Sequence, residues 1–320
     1  MKIHVDPVTG REFRLLGDNP FEAMQIINTA ATSAPVFENA DITGVPIYAL
    51  FLDYLQTSWG QSFFAHAAIN SSLKELFDSY SNDILKTEKS LEFMEQWVSG
   101  PALRYWNPIE YVNPDINNPM TMGYACWEDF FLRPFKEGAR PVQGPIEGSG
   151  VAEEDIITTA CESYPLVAPS MPVNDINLKD EFWLKDNKYS LFDMFDANEK
   201  KESHNALELA KMFEGGTAYQ AFLDPWTYHR WHSPVDGEVE KTYIIDGCYY
   251  LQNPGLIDPT TDDEYINSQP FLTCTSTRRI FVIKADNPKI GYITIIFVGM
   301  AEVSSCKTHL KAGDRVQKGK

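Results

Sequence analysis

Eight consecutive residues, Gly291-Tyr-Ile-Thr-Ile-Ile-Phe-Val298, are nearly all β-branched or aromatic. Such side chains lose least in an extended, pleated backbone, so the stretch predicts a strand, and its apolar density predicts a central one. Shorter runs of the same kind, Tyr243–Ile245, Tyr249–Leu251 and Arg279–Ile283, alternate with Gly and Pro turns from about residue 141 onward. The first 140 residues have a different period. Leu73, Leu76, Phe77, Tyr80 and Ile84 recur at helical spacing, and Ser72-Leu-Lys-Glu75 has the pattern of a capping box. Ile47–Leu55 is a denser apolar run and reads as a buried helix. Three Asn-Pro pairs (107–108, 113–114 and 118–119) disfavour helix and mark a looped connection, with a short helix expected at Trp127–Phe131. The chain therefore reads as α+β: a helical N-terminal region, residues 1–140, followed by a mainly β domain, residues 141–320.

Composition narrows the function. With 27 Lys and Arg against 45 Asp and Glu, the net charge is −18, which argues against nucleic acid or an anionic membrane surface as the main partner. Hydrophobic residues at 43% and charged residues at 22% are globular values. No apolar stretch reaches the ~20 residues of a membrane helix, and none near the start has signal-peptide length. The five cysteines are odd in number and never two or three apart, the usage of reduced thiols rather than of a disulfide framework or a zinc ribbon. A cytoplasmic protein without an integral membrane segment is expected. No heptad or repeat speaks for or against self-association.

The chemistry concentrates in Tyr228-His-Arg-Trp-His-Ser-Pro-Val-Asp-Gly237, which sets two of the chain's six histidines three apart beside an arginine. An imidazole titrating near neutrality is a natural proton carrier, and a guanidinium is a ready carboxylate clamp. The alternative is structural, with Tyr228 and Trp231 packed inside and the histidines making ordinary surface hydrogen bonds. Zinc is a second alternative, because His-x-x-His supplies two ligands; it needs a third from elsewhere, and no His-Glu-x-x-His helix pattern is present. Ser233-Pro-Val-Asp-Gly-Glu-Val and Leu310-Lys-Ala-Gly-Asp-Arg-Val-Gln-Lys-Gly319 are similar to the half-motifs of lipoyl and biotinyl carrier domains. The carrier lysine between them is missing, so what they predict is architectural: two related strand–turn units in a barrel-sandwich-like unit.

Four blocks in order resemble the phosphatidylserine decarboxylase family, and within it the soluble branch that includes fungal L-tryptophan decarboxylases. They are Trp127-Glu-Asp-Phe-Phe-Leu-Arg-Pro-Phe-Lys-Glu-Gly-Ala-Arg-Pro141, Thr159-Ala-Cys-Glu-Ser163, the Tyr228–Gly237 block, and Phe297-Val-Gly-Met-Ala-Glu-Val-Ser-Ser-Cys306 with Gly313-Asp-Arg-Val-Gln-Lys-Gly319. The resemblance implies a pyruvoyl-dependent carboxy-lyase. In the family a serine near the C-terminus cuts the precursor and becomes a pyruvoyl group on a separate small α chain, whose ketone takes up the substrate amine as CO₂ departs. Lys318-Gly-Lys320 lies before the Gly-Gly-Ser motif that carries this serine, so this sequence corresponds to the large β chain or to an inactive piece.

By the same resemblance, His232 matches the base of the self-processing triad. His229 matches the substrate-side histidine, holding a carboxylate or returning a proton. Glu162 occupies the place of the triad aspartate, in Ala-Cys-Glu-Ser where the family usually has Ala-Asp-Gly; read alone, it is equally a solvated turn carboxylate. Tyr228, Arg230 and Trp231 are expected on the substrate side, Arg230 pairing with a substrate carboxylate or with a neighbouring acidic side chain. Arg133 and Arg140 read as structural or chain-binding. The implied substrate is an L-amino acid, most simply an aromatic one such as tryptophan. The alternatives are phosphatidylserine, in phosphatidylethanolamine synthesis, or a non-catalytic member of the family.

Overall fold

A computed structural model of the chain describes residues 3–8, 10, 12–37, 44–55, 57–165, 182–184, 187–197, 205–252 and 264–320. The chain divides into two units. One contains Met1–Pro141, Leu223–Trp231 and Ala301–Val303; the other contains Val142–Phe222, His232–Met300 and Ser304–Lys320. Helices and antiparallel sheets together make the fold α+β, as expected.

The first unit opens with a hairpin, β1 (Ile3–Val5) and β2 (Glu12–Arg14), that helical periodicity did not anticipate. Helices α1 (Pro20–Ala30), α2 (Pro46–Leu55), α3 (Ser58–Phe64) and α4 (Ala67–Tyr80) follow. The apolar run at 47–55 is a buried helix, with Ile47, Tyr48, Phe51 and Leu55 facing inward. The capping box is not used as predicted. Helix α4 begins before Ser72, because His66 is extended and its Nδ1 accepts the Ala68 N–H at 3.2 Å, so Ser72 and Glu75 are exposed mid-helix residues. Past a π-helical turn at Ser81–Leu85 come α5 (Met94–Val98) and then two 3₁₀ turns, Gly100–Arg104 and Pro108–Glu110, in the Asn-Pro region. Helix α6 is Trp127–Phe131, where the sequence predicts it.

The core of this unit is aromatic: Trp97, Trp106, Tyr111, Tyr124, Trp127, Phe130 and Tyr228 pack with Met94, Val98 and Met122. Two buried indoles donate to main-chain carbonyls, Trp97 to Pro35 and Trp106 to Trp97, each at 2.9 Å. Those bonds offset the cost of removing the N–H groups from water.

The second unit begins with β3 (Tyr164–Pro165), the pair β4 (Phe182–Leu184) and β5 (Asn187–Tyr189), helices α7 (Leu191–Met194) and α8 (Ala206–Met212), and β6 (Ala221–Phe222), which pairs with β3. Then come β7 (Gly237–Ile245), α9 (Glu264–Thr275), β8 (Arg278–Ala285), β9 (Tyr292–Val298) and β10 (Arg315–Val316). The last four strands form one antiparallel sheet in the order β10-β7-β8-β9. Gly291–Val298 is thus not central: β9 lies at the end of the sheet, and β7 and β8 occupy its middle. Side-chain type reports that a segment suits a pleated surface, not where in the sheet it sits.

Strand β8 shows why it is central. Ile280 and Val282 face one cluster, with Tyr189, Leu191, Phe195, Leu209, Tyr243 and Ile245; Phe281, Ile283 and Ala285 face another, with Val235, Val239, Phe297 and Val316. Burial on both faces is worth about 1.5–3 kcal/mol for each large side chain. Tyr249–Leu251 is not a strand either. Cys248 makes one parallel bridge to Ser276, and Tyr250 and Leu251 are buried in irregular backbone. The two carrier-like half-motifs do meet, as Val316 pairs with Gly237 and Arg315 with Glu238. Any side chain at Gly237 would collide with the Lys284 carbonyl of the facing strand.

Candidate active site

His229 is set by the short helix α6 and by its own loop. Its ring packs against Phe131, tilted by 30° with centroids 3.9 Å apart, and Phe131 in turn stacks on Trp127 at 4.5 Å. The imidazole Nδ1 lies 3.1 Å from the Thr227 carbonyl oxygen. A carbonyl only accepts, so this contact places the proton on Nδ1 and leaves the lone pair on Nε2. Removal from water pushes the His229 pKa down to about 3; the Thr227 bond opposes that shift and the Arg133 charge reinforces it. At pH 7 the imidazole is therefore neutral and offers an acceptor.

The loop that bears it is tied down at several points. Thr227 donates from both its backbone N–H and its hydroxyl to the Asp224 carbonyl, at 3.1 and 2.7 Å. Arg133, 1% exposed, donates to the carbonyls of Phe130 (3.0 Å) and Trp226 (2.9 Å). Tyr228 was expected beside the substrate, but its ring is 2% exposed and stacks on Phe135 at 4.0 Å. It is a core side chain that supports the backbone of His229. Arg230 is exposed and donates to the Leu132 carbonyl, and Trp231 is 38% exposed. Arg140 pairs with Glu110 at 2.8 Å and lies over the Phe135 ring.

The division between the two units falls between Trp231 and His232, so the two histidines, three apart in sequence, are held by different packing. In the second unit the His232 N–H donates to the Ala160 carbonyl at 2.8 Å, and Thr158 donates to the Pro234 carbonyl through its N–H at 3.0 Å. The segment bearing Glu162 thus runs alongside the segment bearing His232. Glu162 is partly buried in the bend that follows Ala160. Ser233 is held from the other side: its N–H donates to the Lys320 carbonyl at 2.9 Å, its carbonyl accepts the Gly319 N–H at 2.8 Å, and it forms a parallel bridge with Lys318. The Lys318 N–H adds a bond to the Asp236 carboxylate at 2.9 Å.

The Cys161 thiol beside Glu162 and the Cys306 thiol elsewhere in the same unit are held protonated. Burial pushes the Cys161 pKa up and that of Cys306 up to about 11, beyond what the Arg279 guanidinium offsets. Among the described residues no group of three or more His, Cys, Asp or Glu is placed to hold a metal ion, so the zinc reading lacks its third ligand there. Among the described helices none is long and apolar enough to cross a membrane. Sequence reasoning passed over Phe131 and Thr227, which orient His229, and took Arg133 as structural. The available signal was Phe130-Phe-Leu-Arg133, three residues after Trp127, an aromatic cluster with a cation inside it.

Two family profiles match the chain. One, described as phosphatidylserine decarboxylase, covers residues 127–320; a second phosphatidylserine decarboxylase profile covers residues 18–105. The decarboxylase iboD of Amanita muscaria is 36% identical, over 86% of this chain and 79% of its own length. The L-tryptophan decarboxylase of Psilocybe cubensis is 30% identical, over 99% of this chain and 74% of its own. The phosphatidylserine decarboxylase proenzyme of Fusobacterium nucleatum is 28% identical, over 80% of this chain and 72% of its own. The histidine block and the Phe297–Cys306 block thus sit in a chain whose likeness runs almost from end to end: it belongs to the phosphatidylserine decarboxylase family of carboxy-lyases.

Proposed function

We propose that this chain is the large-chain part of a cytoplasmic, pyruvoyl-dependent decarboxylase acting on a small L-amino acid, with an aromatic one such as tryptophan the leading candidate. Residues 141–320 form its catalytic part. The observation that carries the reading is the pairing of Ser233 with Gly319 and Lys320. Peptide continuing beyond Lys320 would leave next to His232 and the segment of Glu162, where a processing serine needs its base. The same pairing supports a pyruvoyl group: a serine carried past Lys320 would have the segments of His232 and Glu162 beside it, and burial raises the Cys161 pKa so that its thiol does not compete as a thiolate. When present, that group supplies a ketone that takes up the substrate amine and the electron pair left as CO₂ departs.

The side chains have separable tasks. His232 takes the proton of the processing serine, and Glu162 orients and charge-stabilises the resulting imidazolium, its extra methylene set back by one bond relative to an aspartate. His229, neutral with its lone pair on Nε2, accepts a proton from the substrate and returns one to the substrate carbon. Burial, which holds its pKa well below neutrality, argues against its serving as a standing cation for the carboxylate. Arg230 and Trp231, exposed on the same loop, are the candidates for carboxylate and aromatic contact.

The relatives named as amino-acid decarboxylases support this substrate class, and the Fusobacterium proenzyme supports phosphatidylserine as the second reading. The test is expression from the gene with the codons that follow Lys320. Mass spectrometry is expected to find a small fragment with a blocked N-terminus, and tryptophan is expected to release CO₂. Release only from phosphatidylserine in detergent would establish the second reading instead. An uncleaved chain inert toward both would identify a non-catalytic binding protein.

A further inference from the structure

Arg133 carries a permanent charge at 1% exposure, which costs several kcal/mol unless charge and N–H groups are both met. Three ring faces meet the charge: Trp106, Tyr111 and Phe130, with centroids 4.6, 4.4 and 4.5 Å from the guanidinium carbon. The carbonyls of Phe130 and Trp226 meet the two terminal nitrogens, Nη1 and Nη2. Each of these carbonyls is one residue from a group that holds His229. Phe130 precedes Phe131, whose ring lies on the imidazole, and Trp226 precedes Thr227, whose carbonyl receives Nδ1–H.

We infer that Arg133 is a positioning residue for His229, clamping the Phe130 and Trp226 carbonyls so that the imidazole keeps one orientation and one tautomer. This rests on the reading of His229 as a substrate-side residue. Lysine cannot replace it, because a single ammonium lacks the planar fork that reaches both carbonyls while lying flat on the rings. Besides His229, the ionisable groups on the two segments are Glu128, Asp129 and Arg133 on one and Asp224, Tyr228 and Arg230 on the other. Burial is the main reason His229 is neutral, and among these groups the Arg133 charge adds to it.

Nitrogen NMR of the histidine side chains tests this on the 320-residue chain without any activity assay. In the unsubstituted protein His229 is expected as the Nδ1–H tautomer, with no titration above about pH 4. In Arg133→Met, apolar and of similar length, the tautomers are expected to mix and the titration midpoint to shift upward while staying well below the ordinary histidine value, because burial remains. Arg133→Lys should restore the charge but not the single tautomer. An Nε2–H tautomer in the unsubstituted protein would overturn the inference whether or not either variant folds, as would an unchanged tautomer and midpoint in a folded Arg133→Met. In the processed enzyme Arg133→Lys is expected to lower kcat roughly tenfold or more with a smaller change in KM. If no decarboxylation is found at all, the NMR result still decides whether Arg133 orients His229, so the two readings fail separately.

Discussion

The Glu302 carboxylate closes the N-terminus of α2 at Ile47, its Oε1 2.7 Å from the Ile47 nitrogen and 3.0 Å from that of Tyr48. Pro46 at the start of that helix has no N–H of its own, so two of the remaining free donors are met by a residue 255 positions away. The negative charge also faces the positive end of the helix. Glu302→Ala should therefore lower stability by about 1–2 kcal/mol and Glu302→Gln by less, measured by denaturant unfolding. Equal loss in both variants would point to charge rather than to hydrogen bonding.

His229 makes stability depend on pH in a definite direction. Its folded pKa of about 3 is below the unfolded value near 6.5, so the unfolded chain binds the extra proton first. The contribution is fully present above about pH 6.5 and is lost as the pH falls toward 3. The expected size is on the order of 2–4 kcal/mol across that window. His229→Asn should flatten this part of the stability curve, and an unchanged slope would mean the imidazole is hydrated.

Tyr228 and Trp231 should respond in opposite ways. Tyr228→Ala empties a buried ring position and is expected to cost about 3–5 kcal/mol of stability. Trp231→Ala, at an exposed position, should cost less than about 1 kcal/mol and instead raise KM for an aromatic substrate. Thermal unfolding and steady-state kinetics on the two variants separate core from contact.

If expression with the codons after Lys320 gives a self-cleaving precursor, His232→Ala should leave it uncleaved while its circular dichroism is unchanged. Glu162→Gln should slow cleavage by roughly tenfold to a thousandfold, because it keeps the shape but removes the charge facing the imidazolium. Gel electrophoresis over time reads both. Normal cleavage in Glu162→Gln would assign Glu162 to the turn rather than to the chemistry.

What the sequence disclosed was mostly local. The helix at Trp127–Phe131, the buried helix at 47–55 and the strands around 279–283 and 291–298 were legible because period and side-chain type act over a few residues. The place of β9 in the sheet was not, since strand order is a long-range property. The start of α4 was missed because a histidine did the work usually given to serine. At the site, the histidine block was visible as composition, but the neutrality of His229 depends on Phe131 and Arg133, about a hundred positions earlier. Tyr228 had the right chemistry for a ligand contact, yet folding spends it on the core.

The first unit draws on three separate stretches of chain, the last ending at Val303. A cut made near residue 140, where composition changes, would deprive the helical part of Tyr228 from its aromatic core and of Glu302 from the end of α2. On the ribosome, those helices cannot reach their final packing until the chain has emerged past Val303. The helical region is thus not a detachable module: neither a gene truncated at that boundary nor a protease cutting there would release a finished half.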